Sequence, residues 1–155
     1  MNEKKYCYKY PHPAVTTDCV VFSLDQQSRL NVLLIKRNNE PFKNKWAFPG
    51  GFLNPDESAE EGALRELNEE TGLEISSLSQ FHVFTQPDRD PRERVISIAF
   101  MSFVKYKEVK GGDDAKEARW FPVNSIPELA FDHHRMFRMA LMVLKKKLKA
   151  VRVNF

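Results

Sequence analysis

Two apolar runs rich in β-branched residues stand near the start of the chain, TTDCVVFSL over residues 16–24 and LNVLLIK over residues 30–36. The polar stretch DQQSR separates them. Two such runs around a short polar connection predict a β-hairpin. Further strands are predicted at residues 46–48, just before a Pro49-Gly50-Gly51 turn, and at residues 81–85, 95–104 (VISIAFMSFV) and 118–123 (ARWFPV). Two segments switch to helical spacing. Residues 59–71 are opened by Ser58 with Glu61 three positions on, the signature of a capping box, and Gly72 supplies a C-terminal stop. Between residues 132 and 149, Phe137, Ala140, Leu141, Leu144 and Leu148 recur at helical intervals, so one face of that helix should be buried. The pattern as a whole predicts an α/β domain, a mixed sheet flanked by two principal helices. Periodicity alone does not supply the strand order.

A chain of 155 residues is long enough to bury a core as one domain, and no repeat, low-complexity tract or linker divides it. Its 42% hydrophobic and 29% charged residues are ordinary for a soluble globular protein. The N-terminal MNEKKYCYKYPHP has no apolar core of a secretory leader, and no later run approaches a membrane span. A cytoplasmic location with no membrane partner is the expectation. Cys7 and Cys19 lack the spacing of a zinc site. Cys19, inside an apolar run, reads as a buried thiol, and a disulfide does not suit a cytosolic chain. The net charge is +3, but Lys145, Lys146, Lys147, Lys149 and Arg152 crowd the last residues, and without those five cations the charge is −2. The basic excess is thus a local C-terminal feature, suited to the end of a helix dipole, and no nucleic-acid face is expected.

The chemistry is concentrated in GFLNPDESAEEGALRELNEETGL, residues 51–73. On the helix predicted there, Glu66, Glu69 and Glu70 are spaced i, i+3 and i+4 and share a face, while Ala63, Leu64 and Leu67 are turned toward the sheet. Crowded carboxylates raise one another's pKa unless a cation offsets them, and hard oxygen ligands of this kind suit Mg²⁺ or Mn²⁺. A bare E-x-x-E-E reads more readily as a solvated acidic face. Its neighbours change that reading. Gly50-Gly51 permits a tight turn beside the helix where a carbonyl can reach a metal. Glu57 stands just ahead of the helix, and the planar fork of Arg65 can brace a carboxylate.

Gly51, Glu57, Arg65, Glu66, Leu67, Glu69, Glu70, Gly72 and Leu73 match every defined position of G-x5-E-x7-R-E-U-x-E-E-x-G-U, and by this the chain resembles the Nudix hydrolases. The resemblance implies a Nudix-type α/β/α sandwich and hydrolysis of a nucleoside diphosphate linked to another moiety. It further implies Glu66 and Glu70 as principal metal ligands assisted by Glu69, the Gly50 carbonyl as a further ligand, Glu57 supporting the metal shell, and Arg65 orienting carboxylates.

Outside that motif, KRNNEPFKNKWAFPGGF, PDRDPRERVISIAF, GGDDAKEARWF and LAFDHH resemble the ADP-ribose pyrophosphatase branch, which implies ADP-ribose as substrate and a homodimer. Nucleotide sugars and nucleoside triphosphates are the alternative substrates. A non-catalytic ADP-ribose sensor is the alternative from another class. In regulators of that type a DNA-binding domain follows, whereas here about six residues follow the last predicted helix, which favours an enzyme. Arg37, Arg89, Arg92 and Arg94 offer forked donors to a diphosphate, or pair with Asp88, Asp90 or Glu93. Phe48, Phe52 or Phe84 is expected to stack on adenine or to sit in the core. Ligand carboxylates make poor proton acceptors, so the general base is sought on the acidic turn over residues 112–117, with Glu117 favoured, Asp113 and Asp114 next, and Glu57 as the competitor. His133 and His134 are read as capping or packing residues without chemistry.

Overall fold

The computed structural model of the chain describes residues 6–112 and 115–153. Asp113 and Asp114, two of the candidate bases, lie outside them. The elements follow the order β1 (Ala14–Leu24), β2 (Leu30–Arg37), β3 (Trp46–Ala47), β4 (Gly50–Phe52), α1 (Ala59–Thr71), β5 (Ser79–Phe84), β6 (Val95–Lys105), β7 (Ala115–Pro122) and α2 (His133–Val153).

The strands form one mixed sheet with the spine β3-β2-β1-β6-β5, with β4 also pairing β1 and β7 pairing β2. The expected hairpin is present, with Phe22 opposite Val32 and Leu24 opposite Leu30. The long parallel pairing is β1 with β6, in register from Ala14–Val95 to Leu24–Lys105. A parallel neighbour requires a crossover, and this one includes α1.

Alternation along the central strands sorts their side chains onto two faces. Cys19, Val21 and Leu33 pack with Ala63 and Leu67 of α1. Val20, Phe22, Val32 and Leu34 pack with Met136, Phe137, Ala140 and Leu144 of α2. Helix, sheet and helix make the three-layer sandwich that the sequence predicts. The capping box forms as expected: Ser58 accepts from the Glu61 N–H, the Glu61 carboxylate accepts from the Ser58 N–H, and Gly72 closes the helix at φ 69°.

Three local expectations are corrected. The Gly50-Gly51 turn is instead strand β4, with Gly50 opposite Asp18 and Gly51 opposite Thr17. It reads as a turn because glycine hides strand propensity, yet a Cβ on Gly50 would lie 2.1 Å from the Thr17 carbonyl oxygen, so only glycine permits this approach. Strand β7 begins at Ala115, and its pairing with β2 takes in Glu117, opposite Lys36. Phe84 takes the core place of the two open to it and is fully buried. Helix α2 runs to Val153, and Leu148 on its expected inner face is 55% exposed.

Candidate active site

Helix α1 presents its acidic face beside strand β4. Arg65 draws two of its carboxylates together with Glu57, which precedes the helix: Nε donates to Glu57 Oε2 at 2.9 Å, Nη2 to Glu57 Oε1 at 2.6 Å, and Nη1 to Glu66 Oε1 at 2.6 Å and Glu69 Oε2 at 3.0 Å. Nη2 also reaches the Phe52 carbonyl at 3.2 Å, which ties α1 to the end of β4. The guanidinium hydrogen bonds hold the Glu57 carboxyl down to about 2.

Glu70 lives in a different environment. It is 6% exposed, and its Oε2 accepts the Gly50 N–H at 2.9 Å. Burial pushes its pKa up to about 8, with Glu66 and Asp18 adding to the effect. Burial raises Glu66 as well. Gly51 lies so close to Glu66 that a Cβ would stand 2.5 Å from its carboxyl carbon.

Glu66 and Glu70 open onto a cavity of about 430 Å³. Arg37, Arg92, Phe52 and Phe131 line the same cavity. Arg37 donates from Nε to the Pro41 carbonyl at 2.8 Å, and its guanidinium lies 4.9 Å from the centre of the Phe131 ring. Burial and the nearby Arg92 lower its pKa, as expected where two cations share a site that favours an anion. Arg92 forks onto Asp90 through Nε at 3.0 Å and Nη2 at 2.7 Å, and it rests 4.9 Å from the centre of the Phe52 ring.

A model of the NUDIX domain matches residues 12–140. This chain belongs to the Nudix family. An ADP-ribose pyrophosphatase of Methanocaldococcus jannaschii is 47% identical over 135 residues, covering 87% of this chain and 76% of that protein. An ADPR responsive transcriptional repressor, NtrR, of Acinetobacter baylyi is 34% identical over 143 residues, covering 89% of this chain but only 57% of the repressor. Among solved structures, the NUDIX domain of Shewanella oneidensis NrtR complexed with ADP ribose superposes with a TM-score of 0.80 at 30% identity, covering 87% of this chain and 90% of that one.

In this Nudix domain the donor set fits a divalent cation in kind: Glu66 and Glu70 are oxygen donors whose burial disfavours their charge, and a bound cation would restore it. Among the described residues, no three His, Cys, Asp or Glu side chains are already gathered in ion-holding geometry. Arg65 instead engages Glu66 and Glu69.

Not every expected residue reaches the cavity. Arg89 lines it, but its side chain is 3% exposed and its fork is committed to Asp132, at 3.1 and 2.8 Å. Arg94 is bonded to the Thr85 carbonyl. Phe48 touches the cavity yet belongs to the core. Glu117 is a clear correction. It stands within β7 and not on a loop, is absent from the cavity lining, and is ion-paired to Arg119. Alternation gives it the face of Phe121, which packs with the α2 layer, while Trp120 faces the α1 layer. Glu117→Gln is therefore expected to leave turnover within about a factor of two, the scale of a substitution outside the site, in a steady-state assay.

Asp18, Phe131 and His133 are among the cavity residues that had no role assigned from sequence. A lone acid inside the apolar run of β1 was the available signal for Asp18. Nothing local marked Phe131, whose φ of 51° is rare for a bulky residue.

Proposed function

We propose that this Nudix domain hydrolyses the diphosphate of ADP-ribose to AMP and ribose 5-phosphate with Mg²⁺, Mn²⁺ serving as a substitute. The observation that carries the reading is one cavity lined both by the half-buried Glu66 and buried Glu70 and by Arg37 and Arg92. That arrangement suits a doubly charged diphosphate held between cations. The relative named as an ADP-ribose pyrophosphatase, identical at 47% of 135 positions, supports the choice of substrate.

Glu66 and Glu70 would hold the divalent ion, with Glu69 and the Gly50 carbonyl beside them. When bound, the ion neutralises charge on the diphosphate and acidifies water. Arg65 keeps Glu57 ionised and sets the angle of Glu66. Arg37 and Arg92 orient the diphosphate, and Phe52 and Phe131 offer flat apolar surface to its organic substituents. Water attacks one phosphorus, the bridging P–O bond breaks, and the bridging oxygen leaves on the other phosphate. Glu57, outside the cavity lining but joined to Glu66 through the Arg65 guanidinium, is the carboxylate proposed to take the proton. The test is a panel of ADP-ribose, nucleotide sugars and nucleoside triphosphates assayed with Mg²⁺, with products weighed by mass spectrometry. ADP-ribose should give the highest kcat/KM. Good turnover of another panel member without hydrolysis of ADP-ribose would move the chain to another Nudix branch, and binding of ADP-ribose without any turnover would favour the sensor.

The domain is also proposed to work as a homodimer. Phe103 on β6 is 50% exposed, and Met142 on α2 is 57% exposed alongside Leu148, apolar surface that a second copy would cover. Sedimentation at micromolar concentration should give twice the 18.1 kDa chain mass, and a lone monomer refutes it. No described helix is long and apolar enough to cross a membrane.

A further inference from the structure

A buried polar network drawn from four parts of the chain borders the same cavity as Glu66 and Glu70. His133, at the start of α2, is 3% exposed, and its Nδ1 accepts the Phe48 N–H at 3.0 Å. A ring nitrogen that accepts is unprotonated, and burial lowers the pKa of this imidazole, so the single ring proton sits on Nε2. That nitrogen faces Asp18 Oδ1 at 3.4 Å. The other Asp18 oxygen accepts the Ser97 hydroxyl from β6. Arg89 lies 3.9 Å from Asp18 and is forked onto Asp132, the residue before His133. The imidazole is also stacked on the Phe48 ring, 5.4 Å between centres.

What the network grips is a short piece of main chain. Phe48 N–H goes to His133, the Pro49 carbonyl accepts the Cys19 N–H at 2.8 Å, and Gly50 N–H goes to Glu70 at 2.9 Å. Three consecutive residues are thus held by three separate elements. Asp18, which steers His133, is itself the β1 partner of Gly50. The Gly50 amide is the only hydrogen-bond donor to the Glu70 carboxylate among the described residues, and it lies two residues from the Phe48 amide that His133 holds.

We propose that His133 is a positioning residue for Glu70: its acceptor nitrogen fixes Phe48, and through Phe48–Gly50 it aims the amide that orients the Glu70 carboxylate. The proposal rests on the reading of Glu70 as a metal ligand. His133 touches no reacting atom. Its effect passes through the main chain, as outer-shell partners act on metal ligands.

Two substitutions separate the acceptor from the bulk of the ring. Asn carries its side-chain oxygen where Nδ1 stands, and Gln carries its amide out to the position of Nε2. The readouts are the amide resonance of Gly50, Mn²⁺ affinity by calorimetry, kcat and KM, and the melting temperature. His133→Gln should shift the Gly50 resonance and weaken both Mn²⁺ binding and kcat by about tenfold or more, whereas His133→Asn should stay within about threefold of wild type, the span expected for an outer-shell contact and its rescue. KM should move less than kcat. The proposal is overturned if His133→Gln keeps the Gly50 resonance and Mn²⁺ affinity of the parent. It is also overturned if the Asn and Gln variants lose equally in affinity and melting temperature, for then ring packing on Phe48 is what matters. A wild-type protein that fails to bind Mn²⁺ would refute the metal reading, while the Gly50 resonance would still decide the positioning claim.

Discussion

Glu70→Gln is expected to cut turnover about a thousandfold, because a metal ion supplies several kcal/mol of transition-state stabilisation and about 1.4 kcal/mol is worth tenfold in rate. The fold should survive. Gln matches Glu in size, and its carbonyl oxygen can still accept the Gly50 N–H now received by Glu70. The variant has a second, opposite signature. Burial pushes Glu70 up to about 8 in the metal-free protein, whereas an unfolded chain titrates near about 4.3. The folded state therefore keeps a proton between those values that the unfolded chain has released. The stability this contributes is fully present below about pH 4.3 and is lost as pH rises through about 8. Urea melts with chelator present should show metal-free wild type weakening across that window and Glu70→Gln resisting the decline. Near-normal turnover in a folded Glu70→Gln protein would refute the assignment of the site.

Arg65→Lys should cost roughly tenfold to a hundredfold in kcat, the range seen when the support of metal ligands is removed. The charge is conserved, so the loss would report geometry. One planar guanidinium reaches Glu57 twice, Glu66, Glu69 and the Phe52 carbonyl. An ammonium on a flexible stem has three donors and no fork, so it cannot hold both sides of that assembly. Glu57, released from its two bonds, should titrate higher than its present value of about 2. The pH profile of kcat/KM should then shift on its acid limb if Glu57 takes the proton. An Arg65→Lys enzyme with unchanged kcat and pH profile would show that Arg65 only neutralises the acidic face.

Short-range rules made much of this protein legible. Ser58, Glu61 and Gly72 marked both ends of α1 because capping is settled within four residues. The i, i+3, i+4 spacing placed the glutamates on one face, since a helix fixes those angles by itself. Ala63 and Leu67 turned to the sheet for the same reason. The hairpin of β1 and β2 followed from two apolar runs and a polar gap. The family, too, was readable, because its motif is continuous in sequence.

Tertiary structure decided what depends on partners far along the chain. Glu66 and Glu70 look alike in the sequence, yet packing against β4 buries Glu70 more deeply and raises it further. Arg89 and Arg92 look equally free, but Asp132, 43 residues on, claims Arg89, and Asp90 holds Arg92 over Phe52. Glu117 seemed to ride a mobile turn until pairing with β2 extended β7 back to Ala115 and set its face. His133 meets Phe48 across a separation of 85 residues. Local sequence fixes the conformation of one element at a time, whereas burial, charge and hydrogen-bond partners come from elements that only the folded chain brings together.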